Sequence, residues 1–353
     1  MSKLKVGIVG GGFIAKKRHI PAFLKLEDNV ALQAVCDLKK SLAESVAKKF
    51  GIQKAYFSLS DMLSKESLNI IDICTQPHTH APLAIEAMKS GCHVLLEKPM
   101  AVKASDCDQM IKFSHEYGVK LCVVHNEIFS PVFLKAKKLV DRGTVGKLTG
   151  VRWFRLTPRS EYMTLKNHWV HKLPGGVLGE TGPHAVYTSL VFLRNVKNVY
   201  CYAKKFSKDS WVMYDDYRIG LEGENVNSSI VISHANDCAA AECDLIGTKG
   251  IIKLDLQSML LMLYRRENLK PKSLAFSSLS VGGQIVKNVL LNTFSFVLGS
   301  PKLGHDILIE KFVESILNNE PAPVTMEEGR ETVRLMEMLA DKLDKEKSKS
   351  MIH

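Results

Sequence analysis

An apolar run that ends in three glycines constrains the fold of this chain more than any other stretch: Val6-Gly7-Ile8-Val9-Gly10-Gly11-Gly12-Phe13-Ile14-Ala15. Read as strand, turn and helix, it has the form Gly-x-Gly-x-x-Ala. Gly10 permits a tight turn, Gly12 lets backbone N–H groups approach a pyrophosphate, and Ala15 keeps the next helix near the strand. A second apolar run, Val30 to Cys36, stops at Asp37, where a carboxylate would grip a ribose diol. A glycine triplet alone also describes a flexible loop. The strand before it, the helix after it and the acid beyond it favour dinucleotide binding.

The chain has 353 residues, too many for one ordinary core, so two domains are expected. Lys and Arg number 48 against 37 Asp and Glu, a net charge of +11. Such a balance suits nucleic acid, anionic lipid or a phosphorylated substrate. The positive residues are scattered, however, except in Lys342-Leu343-Asp344-Lys345-Glu346-Lys347, where acids alternate with them. No nucleic-acid partner is expected. The eight cysteines lie far apart without a Cys-x-x-Cys pair, so reduced, buried thiols and a cytoplasmic location are expected. The most apolar late stretch, Ile285 to Leu298, contains Lys287 and Asn292 and is too short to span a bilayer. It reads as a buried or partner-facing helix, with no membrane partner.

Strand-like and helix-like segments alternate in the first part of the chain. Strands are expected at Leu4–Val9, Ala31–Cys36, Ala55–Phe57, Ile70–Cys74, His93–Leu96 and Lys120–Val124. This alternation indicates a doubly wound parallel sheet. The rhythm then changes. After a helix at Pro131–Arg142 come longer runs at Leu148–Leu156, Val199–Phe206, Asp216–Glu222, Ser228–His234, Ala241–Ile246 and Ile251–Leu256, separated by turn signals. They indicate an antiparallel sheet, interrupted by a helix at Pro183–Leu193. Apolar stripes predict closing helices at Asp306–Leu317 and Glu327–Leu343. Residues 1–125 are therefore expected to form the dinucleotide-binding domain. Residues 126–353 are expected to bind substrate and partner copies, with the C-terminal helices able to pack back on the first domain.

Glu97-Lys98-Pro99 follows the strand His93–Leu96 directly. Ligands of open parallel sheets lie beyond the carboxyl ends of strands. Lys98 could there bind a substrate hydroxyl and stabilise the alkoxide as hydride leaves; its other reading is an exposed lysine in a turn. In Gly175-Gly176-Val177-Leu178-Gly179-Glu180-Thr181-Gly182-Pro183-His184, Pro183 suits the first turn of a helix. A neutral His184 could accept a hydroxyl proton, and Glu180 could orient it or hold a second hydroxyl. Thr75, Gln76, Pro77 and His80 follow the strand Ile70–Cys74 and are expected to meet the cofactor. The pairs His78-x-His80 and His168-x-x-His171 lack partners at metal-site spacing, so no metal is expected.

Taken together, these residues resemble the glucose–fructose oxidoreductase / inositol dehydrogenase / MocA family. Its markers are Gly10 to Ala15, Cys74-Thr75-Gln76-Pro77 with His80, Gly91 to Pro99, His125-Asn126 with Pro131, and Gly175-Gly176 leading to Glu180, Gly182 and His184. The resemblance implies a Rossmann domain and an α/β domain with a large open, mainly antiparallel sheet. It implies NAD(P)-linked oxidoreduction of a secondary alcohol of a sugar or polyol, with Lys98 and His184 catalytic. Phe13, Ile14 and Glu97 join the cofactor-binding residues, and Asn126, Trp169 and Tyr187 the substrate-binding ones. The family usually has Asp at Glu180 and often another Asp at Tyr187, so substrate geometry is expected to differ. Residues 265–303 do not match the family pattern. Asp37 favours NAD over NADP, and a homodimer or homotetramer is expected. Two rival readings are a non-catalytic nucleotide sensor and a reductase of a non-sugar substrate.

Overall fold

The short apolar strands of the first part are buried on both faces, as parallel strands between helical layers must be. In a computed structural model, which describes residues 3–159, 163–299 and 301–350, the chain divides into two compact units. The first holds residues 1–126 and 304–334. Its strands are β1 (Leu4–Val9), β2 (Val30–Cys36), β3 (Lys54–Tyr56), β4 (Ile70–Ile73), β5 (His93–Leu96) and β6 (Leu121–Val123). They form one parallel sheet in the order β3-β2-β1-β4-β5-β6. The direction of winding reverses between β1 and β4, and the loops at that switch point are where ligands of such sheets bind. Helices α1 (Ile20–Leu24), α2 (Lys40–Phe50), α3 (Leu59–Lys65), α4 (His80–Lys89) and α5 (Ala104–Glu116) connect the strands. A single π-helical turn, Ala15–His19, precedes α1.

The second unit holds residues 127–303 and 335–353. After α6 (Pro131–Asp141) come β7 (Leu148–Pro158) and α7 (Leu178–Leu190). Then follow β8 (Asn198–Lys204), β9 (Asp216–Glu222), β10 (Asn227–Asn236), β11 (Ala240–Gly247), β12 (Gly250–Asp255) and β13 (Leu260–Tyr264). The sheet runs β13-β12-β11-β7-β10-β9-β8 and is antiparallel except where β7 pairs with β10. Its core gathers Trp153, Tyr217, Ile230, Ile232, Leu245 and Ile252, all buried.

Three local expectations are corrected. Helix α7 starts at Leu178, and Pro183 lies inside it rather than in its first turn. Glycines at 179 and 182 precede the proline, four and one residues before it, and remove side-chain bulk there; a Cβ on Gly182 would lie 2.7 Å from Met336. Strand β13 was not anticipated, because Leu260-Leu261-Met262-Leu263-Tyr264 is apolar without alternation. Residues 285–298 belong to a much longer helix, α8 (Pro271–Leu298), which is not buried. By length and composition its stretch Pro271–Ser295 could cross a membrane.

Helix α8 lies along the open edge of β13, and its underside is polar. The Gln284 side chain accepts the Leu263 N–H at 2.8 Å and donates to the Leu263 carbonyl at 3.0 Å. Asn288 donates to the Leu261 carbonyl at 3.0 Å. Asn292 donates to the carbonyls of Ser258 and Met259 at 2.9 and 3.1 Å. The helix therefore supplies through side chains what a further strand would supply through its backbone. Two helices close the chain, α9 (Gly304–Leu317) and α10 (Met326–Ser350). In α9, Leu308, Ile309, Phe312 and Val313 are fully buried within the first unit. None of the eight cysteines is in a disulfide; seven are buried and Cys238, against expectation, is exposed.

Gly10 has φ +95°, and a Cβ there would lie 2.7 Å from the Cys74 carbonyl oxygen. Gly10→Ala is expected to lower stability by about 1–3 kcal/mol through backbone strain alone. Urea denaturation measures this; an unchanged midpoint would contradict the turn geometry.

Candidate functional site

The glycine turn joins β1 to the first helical segment. Gly10 N–H donates to the Cys36 carbonyl at 2.8 Å, and Gly11 N–H donates to Asp37 Oδ2 at 2.8 Å. The other Asp37 oxygen accepts the Lys39 N–H at 2.8 Å. Asp37 thus braces the turn from the end of β2. A Cβ on Gly12 would meet nothing within 4 Å. Open space at Gly12 beside the N-terminal turn of a helix, whose first N–H groups lack intrahelical acceptors, fits a pyrophosphate. Phe13 is exposed and Ile14 half-buried beside it.

Beneath that turn lies a charged cluster that the sequence reading missed. The π-helical turn carries His19, fully buried, between two carboxylates. Its Nδ1 donates to Asp72 at 2.9 Å and its Nε2 to Glu97 Oε1 at 2.8 Å. Burial alone would push the imidazole pKa down, but the Asp72 carboxylate overrides it and raises it well above the ordinary value. Burial would likewise raise Glu97; the bond from His19 instead holds it at about 2. Glu97 Oε2 accepts the Lys98 N–H at 3.0 Å. His305 from α9 lies 3.8 Å from Glu97, and burial keeps it neutral, with a pKa of about 3. His19 bridges Asp72 and Glu97 by hydrogen bonds, whereas His305 stands beyond hydrogen-bond reach of Glu97; ligand-type atoms of His19, Glu97 and His305 lie within 4.8 Å of one another.

This cluster anchors the segment that carries Lys98. Glu97 is turned inward and its side chain is nearly inaccessible. Lys98 itself is half-buried, and the Lys98–Pro99 peptide is cis. His80 supports the same segment from the start of α4. Its Nδ1 lies 2.9 Å from the Pro99 carbonyl and its Nε2 3.2 Å from that of Thr75. Burial holds His80 below its ordinary pKa, against the opposing effect of its bonds to the Pro99 and Thr75 carbonyls. Gln76 is exposed at the end of β4, with Thr75 half-buried and Pro77 buried beside it. Asn126 is half-buried and opens a short helical turn after β6.

In the second unit, α7 carries both Glu180 and His184, so four-residue spacing puts them on one helical face. His184 Nδ1 lies 2.8 Å from the Tyr187 hydroxyl and 3.3 Å from Glu127 Oε1. Tyr187 accepts the Glu127 N–H at 3.2 Å, and Glu127 is ion-paired with Arg155 on β7. Arg155 also stacks over Trp153, 5.1 Å from the ring centroid. A carboxylate and a phenol oxygen beside Nδ1 favour a proton there, which leaves Nε2 as the basic nitrogen. Trp169 lies in a separate short helical turn, its ring tilted at 32° to that of His168 with centroids 5.5 Å apart.

Residues 4–125 match the oxidoreductase family with an NAD-binding Rossmann fold, GFO/IDH/MocA, and residues 133–253 match the C-terminal domain of that family. The chain belongs to the GFO/IDH/MocA family. An oxidoreductase of Formosa agariphila is 23% identical over 348 residues, covering 96% of this chain and 98% of its own. The myo-inositol 2-dehydrogenase of Thermotoga maritima is 29% identical over 144 residues, 41% of this chain and 42% of its own. The crystal structure of the WlbA dehydrogenase from Bordetella pertussis, in complex with NADH and UDP-GlcNAcA, matches with a TM-score of 0.80 at 21% identity. That match covers 97% of this chain and 96% of the other. This GFO/IDH/MocA chain shares that fold over nearly its whole length.

Some of the missed residues left traces in the sequence. Asp72 interrupts the apolar run Ile70-Ile71-Asp72-Ile73, and a buried carboxylate requires a partner. Glu127 adjoins Asn126 directly. His19 and His305 carry no comparable signal. Removing His19 leaves two buried carboxylates uncompensated. His19→Ala is expected to destabilise the protein by about 3–5 kcal/mol, read by urea denaturation.

The lowered pKa of Glu97 predicts an acid limb. Its contribution is complete above the unfolded carboxylate value of about 4.3 and is lost as pH falls toward about 2. Glu97→Gln is expected to flatten the stability profile over that window. An unchanged acid limb would show that Glu97 does not supply it.

Proposed function

We propose that this protein is an NAD-dependent dehydrogenase acting on a secondary alcohol of a sugar, polyol or sugar derivative. The observation that supports it most is His184, with Glu127 and Tyr187 at Nδ1 and Nε2 left basic, in a chain whose Lys98 is anchored at the carboxyl end of β5. The bound nicotinamide supplies the hydride acceptor. His184 Nε2 accepts the hydroxyl proton, and the Glu127 carboxylate stabilises the imidazolium that forms. The Lys98 ammonium stabilises the developing alkoxide. Glu180 and Asn126 hold neighbouring hydroxyls, with Trp169 as a pocket wall. Gly10, Gly12, Phe13, Ile14, Thr75, Gln76 and Pro77 hold the dinucleotide, while Glu97 and His80 fix the segment that carries Lys98.

Lys98→Ala and His184→Ala are each expected to lower turnover about 10²–10⁴-fold with NADH binding retained. Full activity in both variants would end the assignment. A sensor without chemistry would lose nothing in either. A panel of sugars, polyols and nucleotide sugars, followed by nicotinamide absorbance, identifies the substrate. WlbA was crystallised with a nucleotide sugar, which supports including that class.

The Asp37 carboxylate accepts the free 2′-hydroxyl of NAD and repels a 2′-phosphate. Asp37→Ser is expected to narrow the preference for NADH over NADPH in fluorescence titration; tighter NADPH binding by the unaltered protein would reject the reading. Location in a reducing cell interior is supported by eight cysteines without a disulfide. Assembly into a homodimer or homotetramer is supported by the exposed Tyr200 and Tyr202 on β8.

A further inference from the structure

Helix α8 is inverted relative to an ordinary surface helix. The residues at least half-buried against its own unit are Ser273, Leu274, Ser277, Val281, Gln284, Ile285, Asn288 and Asn292; the amides of Gln284 and Asn288 bond β13, and that of Asn292 bonds the turn just before it. At about 100° per residue, Phe276, Leu279, Val286, Leu290, Phe294 and Val297 fall on the opposite side. Phe276, Leu279 and Val297 are 75%, 74% and 79% exposed, and Leu290 and Phe294 are 64% and 67% exposed. Single exposed apolar residues are ordinary; a continuous stripe along a helix of 28 residues, about 42 Å long, is not.

The charges around the stripe indicate what covers it. The only charged side chains within α8 are Lys272 and Lys287, both exposed. Arg265, Arg266, Lys270 and Lys302 adjoin it in sequence, with Arg265 bonded to the Thr144 carbonyl and Arg266 to Ser277, and Glu267 is the sole acid from residue 265 to 303. A second copy would bring these cations against their own kind. An anionic phospholipid surface offers both the apolar depth and the opposite charge. Lysines on such a helix bury their stems and keep the ammonium at the headgroups. A membrane span is the weaker reading. It would strip Gln284 and Asn288 from β13 and Asn292 from the turn before it, and place them in hydrocarbon.

We infer that α8 is an in-plane membrane anchor that docks this protein on the surface of an anionic bilayer through Phe276, Leu279, Val286, Leu290, Phe294 and Val297. This departs from the expectation of no membrane partner. It does not depend on the proposed redox activity.

The test uses the full chain. It is floated through a density gradient with vesicles of phosphatidylcholine alone or mixed with phosphatidylglycerol. The protein is expected to float with the mixed vesicles and to be released by raised salt. A triple variant, Leu279→Glu, Leu290→Glu and Phe294→Glu, is expected to lose vesicle binding about tenfold or more. All three side chains are exposed, so the variant should keep the circular-dichroism melt and NADH titration of the parent. Failure of the parent to float, equal floating by the variant, or equal binding to neutral vesicles overturns the inference. So does a dimer by light scattering that the triple variant dissolves while neither protein floats; α8 would then be an interface between copies.

Discussion

One buried cation, His19, holds the nucleotide-binding unit in register. It draws the π-helical turn onto β4 through Asp72 and onto the end of β5 through Glu97. Neither carboxylate could stay buried without it, and it could not stay buried without them. The second oxygen of Glu97 then holds the backbone of Lys98. A side chain proposed for chemistry is thereby tied to the same charge cluster that sets the first helix beside the sheet. His305 adds a late part of the chain to this arrangement, as a neutral ring beside Glu97.

The other unit places its chemistry on a helix backed by a sheet. Glu127 precedes α6, Arg155 lies on β7, and both converge behind His184 on α7. Tyr187 stands one turn after His184 and adds a phenol where the family resemblance suggested a carboxylate. The negative charge beside the imidazole comes from Glu127 instead. An acid supplied from another element does for His184 what a neighbour on the same helix would do.

Much of the fold was legible because it rests on local patterns. Glycines, apolar runs and an acid at the end of β2 specify the nucleotide-binding sheet, and the strands of that sheet lie close to their expected bounds. Lys98 and Glu180 with His184 were legible as strand-end and helix-face residues. The partners of His184 and Lys98 were not, because Glu127, Arg155, His19 and His305 are joined by tertiary contacts of long sequence separation. Pro183 misled because proline marks helix starts so often, whereas here glycines in the turn before it allow an earlier start. Helix α8 was misread for a related reason. Its apolar residues suggested burial, but Gln284, Asn288 and Asn292 had already committed the other face to the sheet.

That commitment has an effect on how the second sheet can grow. The Gln284 and Asn288 amides occupy the outward groups of Leu263 and Leu261 on β13, which an incoming strand would need in order to zip onto that margin. Among the described residues, the opposite margin of the same sheet is β8, at the far end of the strand order. The two margins of the sheet therefore differ: side-chain amides of a helix hinder templated extension at β13, and β8 ends the order on the other side.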